Sequence, residues 1–145
     1  MTPRWLRPTA FERRGILLVF DALVPSGATP LFPLGARDFP LDRFLDDLAD
    51  HAPARVMFGL RACLWFLIVC PPFVLGRLAS LYGLSSAERL ALLTRLKASN
   101  VYLVREIPLL FKTMASLAVC GLAQVQEPLG IEPRDATPPD WLEAR

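Results

Sequence analysis

Residues able to act as nucleophiles, bases or metal ligands are few in this chain of 145 residues. It has one histidine, His51, and three cysteines, Cys63, Cys70 and Cys120. Its densest group of carboxylates is Asp42, Asp46, Asp47 and Asp50. Catalysis by His51 would need a nucleophile or carboxylate aimed at the ring, and the sequence places none at a defined spacing. At the end of a helix, a protonated imidazole instead favours the dipole. The aspartates lack the glycine turn and ligand spacing of a calcium loop and read as surface charge on a helix.

The cysteines lie in apolar runs without a C-x-x-C pair, as reduced, core-filling thiols do. Cys63 and Cys70, seven residues apart, share a helical face, but no histidine or carboxylate lies near them and no metal site is expected. The eight glycines stand singly, so no dinucleotide or phosphate loop is present, and neither are G-x-S-x-G, H-E-x-x-H or C-x-x-C-H. No catalytic, cofactor-binding or metal residue is assigned. An enzyme built on this chain would borrow its reactive groups.

The elements that would position any site are organised around Val56 to Leu84, almost wholly apolar apart from Arg61, Arg77 and the Pro71-Pro72 pair. Its charge-free interval, Ala62 to Gly76, holds 15 residues, or about 22 Å of helix against the roughly 30 Å of a bilayer core. The prolines divide it further, predicting one helix from Pro53 to about Cys70 and a second from Pro71 through Phe73, Leu75, Leu78 and Leu81 to a stop at Tyr82-Gly83. Trp65 and Phe66 point to different faces, so at least two sides of the first helix should be covered. A buried helical pair in a protein or complex is expected, ahead of an interfacial segment or a membrane span.

Around this centre the spacing predicts further helices. Thr9-Ala10-Phe11-Glu12 is a capping box opening a helix from about Ala10 to Leu23, with Phe11, Leu17, Leu18, Phe20 and Leu23 inward and Arg14 and Asp21 on the opposite stripe. Residues 24–35, rich in proline and glycine, read as an ordered, Ω-like loop. Pro40 opens a short amphipathic helix with Leu41, Phe44, Leu45 and Leu48 on one side. Ser85-Ser86-Ala87-Glu88 is a second capping box, before a helix that sets Leu90, Leu92, Leu93 and Leu96 inward and closes near Asn100. Val101 to Gln126 is a long apolar helix bent at Pro108. Arg105 and Lys112 mark its polar stripe, and small residues from Ala115 to Ala123 allow another backbone to approach.

The expected fold is all-α: a compact bundle of five to six helices with a Pro-rich loop after the first and an extended C-terminal tail. Residues 1–8 form an N-terminal arm, 9–126 one helical domain, and 127–145 a Pro-rich acidic tail in which Trp141 is the natural anchor. The arm is anchored only if Trp5 docks.

A hydrophobic content of 53% leaves too little polar surface for an ordinary free monomer. The net charge of +2 conceals a gradient, with −1 over residues 1–54, +6 over 55–125 and −3 over 126–145. Scattered arginines on apolar helices do not form the clustered basic face of a nucleic-acid binder, so no nucleic-acid partner is expected. Arg13-Arg14 before an apolar run invites a twin-arginine export reading, which Asp21 and the lack of a cleavage site oppose. Residence in the cytoplasm or on the inner-membrane surface is expected, or export bound to a partner that carries the signal.

Phe20-Asp21-Ala22-Leu23-Val24-Pro25, the helix from Pro40 to Asp50, and Leu84-Ser85-Ser86-Ala87-Glu88-Arg89 with its helix carry a resemblance. Over roughly residues 9–125 the chain resembles the small subunit of gluconate 2-dehydrogenase-type (subunit 3) enzymes and the helical region preceding the flavin domain of long-chain fatty alcohol oxidases, in the glucose-methanol-choline (GMC) oxidoreductases. The resemblance implies a non-catalytic accessory subunit whose partner, a separate GMC-type flavoprotein, carries FAD and the catalytic base. On that view it stabilises the partner and helps shape access for hydrophobic substrates. The alternative is a stand-alone peripheral membrane protein with Arg61, Arg77, Arg105 and Lys112 near anionic headgroups.

Overall fold

A computed structural model of the chain describes residues 7–27, 30, 33–127 and 130. Trp5 and most of the acidic tail, including Trp141, lie outside the described residues. Those described are all-α, with α1 at Ala10–Leu23, α2 at Leu41–His51, α3 at Ala54–Val69, α4 at Pro71–Leu75, α5 at Ser86–Lys97, α6 at Tyr102–Cys120 and a last turn, α7, at Ala123–Gln126.

The architecture follows from α1. It packs against α2, α3, α5 and α6 and against two single 3-10 turns, Ala36–Asp38 and Leu81–Gly83. Its start is fixed by the capping box: the Glu12 amide donates to Thr9 Oγ1 at 3.3 Å and the Thr9 amide to Glu12 Oε2 at 2.8 Å. Its inward face is Ile16, Val19, Phe20 and Ala22. Two expectations for this helix are corrected. Phe11 is about half exposed, and Asp21 is buried where Arg37 of the first 3-10 turn returns to pair with it at 2.7 Å.

The Pro-rich loop closes at its base, with Gly27 N donating to Pro33 O at 2.7 Å and Ala36 N to Val24 O at 2.9 Å. Helix α2 is clamped to α1 by Arg13, which pairs with Asp46 and Asp42, and to the residues before α1 by Arg7, which pairs with Asp50.

Helix α3 ends at Val69 with Cys70 as its cap, as the prolines require, and α4 begins at Pro71. The predicted continuation to Gly83 does not form. Gly76 adopts φ 68°, the left-handed conformation that ends helices at low cost only for glycine. Leu78, placed on the helix by spacing alone, is instead 98% exposed on the connecting segment.

The second capping box holds as read, with Ser85 N donating to Glu88 Oε2 at 2.8 Å. In α5, Leu92, Leu93 and Leu96 are buried while Leu90 is about half exposed, correcting its inward placement, and the helix stops at Lys97. Helices α5 and α6 form an αα-hairpin over α1. Helix α6 runs through Pro108, which is buried, and Ala115 and Ala118 provide the close approach expected of small residues. Among the described residues one hydrophobic cluster joins all these helices, and no helix is long and apolar enough to cross a membrane.

Candidate functional site

The residues with reactive side chains stay apart. His51 closes α2, its Nδ1 2.8 Å from the Asp47 carbonyl and therefore the donor. Cys70 is buried, and burial pushes its thiol up to about 11. Cys63 is half-buried, its thiol also raised by burial, and Cys120 is exposed. Among the described residues no three His, Cys, Asp or Glu side chains converge as a metal site would require.

The polar groups that do converge surround Glu12. Only 1% exposed, its carboxylate accepts from the Arg61 Nε at 2.8 Å and the Trp65 Nε1 at 2.9 Å through one oxygen. The other oxygen takes the Thr9 amide at 2.8 Å and the Thr9 hydroxyl at 3.0 Å. Burial by itself raises the carboxyl's pKa. The bonds from Arg61, Thr9 and Trp65 outweigh that and hold it below its usual value. Every donor stabilises the anion, so the group is built to stay charged. A general acid is built the opposite way.

Beside it, Phe11 lies between Tyr82, at 4.4 Å between ring centroids, and Trp65, at 5.9 Å. The Tyr82 hydroxyl donates to the Phe11 carbonyl at 2.6 Å. Gly15 makes room for that ring, since a Cβ there would lie 2.7 Å from the Tyr82 oxygen. The hub therefore sets the angle between α1 and α3 and fixes the orientation of Trp65.

The second feature is the exposed apolar side of α3. Helix α3 buries Met57, Leu60, Leu64, Leu67 and Ile68 on one side. Its other side carries Phe58, 65% exposed, with Trp65 and Val69 seven and eleven residues on. Beyond the prolines, Phe73 is 86% exposed and Leu78 is exposed as well. The expectation that at least two sides of α3 are covered is corrected, because Trp65 and Phe66, the residues that mark those sides, are both exposed. Helix α6 adds Leu103, Leu110 and Leu117, all exposed and repeating every seventh residue. Between α6 and Cys63 of α3 lies an apolar groove of about 440 Å³ that includes Leu103, Leu110 and Glu106. Sequence reasoning missed the outward α3 stripe, whose signal was a helix apolar all round.

Two cation-bearing connections brace this face. Arg77 pairs with Glu88, and the Arg95 Nη1 donates to the Val74 carbonyl at 2.8 Å, tying α4 and the segment after it to α5. Arg89 is buried, donating to the Leu81 carbonyl at 3.1 Å. Burial holds its pKa below the usual arginine value.

No family model matches the chain, and no curated protein or solved structure matches it.

Proposed function

We propose that this chain is a non-catalytic accessory subunit that docks on a larger protein through the outward side of α3 and the segment from Phe73 to Leu78. The observation that carries the reading is the exposure of Phe58, Trp65, Val69, Phe73 and Leu78 within 21 residues of sequence, on elements tied to the bundle by Arg61–Glu12, Trp65–Glu12 and Arg95–Val74 contacts. Exposed aromatic and aliphatic side chains grouped in one patch form the centre of a stable interface, and large aromatics dominate its energy. The resemblance supplies the partner: a GMC-type flavoprotein carrying FAD, with the apolar face bordering the route of a hydrophobic substrate.

The membrane-surface alternative draws less support from the charges. Arg61 is engaged by Glu12, Arg77 by Glu88, and Arg105 lies 5.5 Å over the Tyr102 ring and near Glu106. Three of the four cations assigned to headgroups are therefore engaged within the protein.

Gentle purification of the tagged chain from its native host, followed by mass analysis and a visible spectrum of what co-elutes, tests the proposal. A stoichiometric partner with flavin absorption is expected, and Phe58→Ser with Phe73→Ser should release it. A stoichiometric partner without flavin would sustain docking and refute the flavoprotein assignment. Recovery of the chain alone from the membrane fraction would refute both.

A further inference from the structure

A second concavity lies on the side of the molecule where α1 ends against the α5–α6 hairpin. We propose that this cleft binds a free single-chain carboxylate, an amphiphilic anion of medium chain length. Its floor is apolar, formed by Leu23, Leu90, Leu93, Pro108 and Leu109, and its volume is about 300 Å³. That lies at the lower end of the roughly 300–1,000 Å³ of small-molecule sites. One acyl chain fits such a space and a two-chain lipid does not.

The wall gives the sign of the ligand's charge. Lys97 and Lys112, the only lysines in the chain, both line this cleft, and no carboxylate among the described residues does. The remaining polar side chain, Thr94, already donates its hydroxyl proton to the Leu90 carbonyl at 2.8 Å. Among the described lining residues the two lysines are thus the polar side chains left to offer donors. Among the described residues Arg7, Arg13, Arg37, Arg61 and Arg77 have carboxylates within salt-bridge distance, whereas neither lysine does. The groove on the other side of Leu109 provides a contrast, because it holds Glu106 and no cation. An anion with an apolar tail is therefore complementary to the first concavity and repelled by the second.

The cleft is separate from the α3–α4 face, so the inference does not depend on the accessory-subunit reading. The test is calorimetric titration of the purified full chain, free of detergent, with decanoate below its micelle-forming concentration. Saturable binding at one site per chain is expected. Each methylene added between hexanoate and octanoate should tighten it about fourfold. Lys97→Gln and Lys112→Gln should each weaken decanoate about fivefold, the value of one unit charge at close range in water-like surroundings, and leave decanol unaffected. Leu90→Asp, at a half-exposed position that the fold tolerates, should abolish binding with the circular dichroism unchanged.

The proposal is overturned if decanoate shows no saturation, if acetate binds as well as decanoate, or if the lysine variants bind decanoate like the parent. It is equally overturned if binding occurs only to anionic phospholipid vesicles. None of these outcomes bears on partner release by the Phe58 and Phe73 variants, so failure here and failure of the docking reading are separable.

Discussion

Replacing Glu12 with glutamine tests whether the polar hub holds the bundle together. The side chain keeps its volume, so no cavity enters the argument. The charge disappears, and an amide group with its own two donors now faces donors from Arg61, Trp65 and Thr9. Breaking a buried ion pair costs about 3–5 kcal/mol. The Arg61 side chain keeps a quarter of its exposure and can be partly rehydrated, which puts the loss at the low end, about 3 kcal/mol. For a chain of this size that lowers the Tm by roughly 6–12 °C.

The pH dependence carries a sign. The Glu12 pKa is depressed in the folded state below its unperturbed value of 4.5. Its contribution is therefore fully present above about pH 4.5 and is lost as pH falls through the lower folded value. The parent should lose stability on acidification below pH 4.5 more steeply than Glu12→Gln, and the two curves should converge. Urea unfolding followed by circular dichroism at pH 7, 5, 4 and 3 measures this. A variant less than about 0.5 kcal/mol weaker at pH 7, within the range of an inert surface change, with a parallel pH profile, would refute the reasoning.

Other substitutions separate the remaining claims. Gly76→Ala puts a Cβ in a left-handed turn and should cost about 1–2 kcal/mol in urea unfolding; an unchanged midpoint would argue against that turn. Phe58→Ser and Phe73→Ser should change stability by no more than about 0.5 kcal/mol while abolishing co-purification of the partner, and a large stability loss would place these side chains inside the fold. Under iodoacetamide at pH 8, Cys120 should be alkylated first and Cys70 last, since Cys70 is buried with its thiol pushed up to about 11. Peptide mapping reads the order, and rapid labelling of Cys70 would contradict its placement.

Local signals were legible from the sequence and distant pairings were not. Both capping boxes need only residues three apart, and both helices start where Thr9 and Ser85 place them. The break at Pro71-Pro72 is equally local, because proline removes a donor wherever it stands. The spacing of Leu75, Leu78 and Leu81 still suggested a helix through Gly76, because periodicity does not register whether a glycine turns left-handed. Asp21 was assigned outward because helical spacing puts it on one stripe with Arg14; its partner is Arg37, which reaches it across the loop. The absence of reactive motifs drew attention to the apolar centre, but which side of α3 stays bare depends on how many helices reach it. The two-lysine cleft was likewise illegible, since Lys97 had no notable neighbour in sequence and Lys112 was read only as part of a polar stripe.

The central position of α1 has a consequence for synthesis. It leaves the ribosome before its partners α5 and α6, the latter of which ends roughly a hundred residues after Leu23. At about 5–20 residues per second, the nascent helix waits some 5–20 s before its buried face can be covered. Throughout that interval Ile16, Val19 and Phe20 are open to chaperones and to neighbouring nascent chains. Slowing translation within α3 should therefore lower the yield of folded protein, and releasing α5 and α6 sooner should raise it.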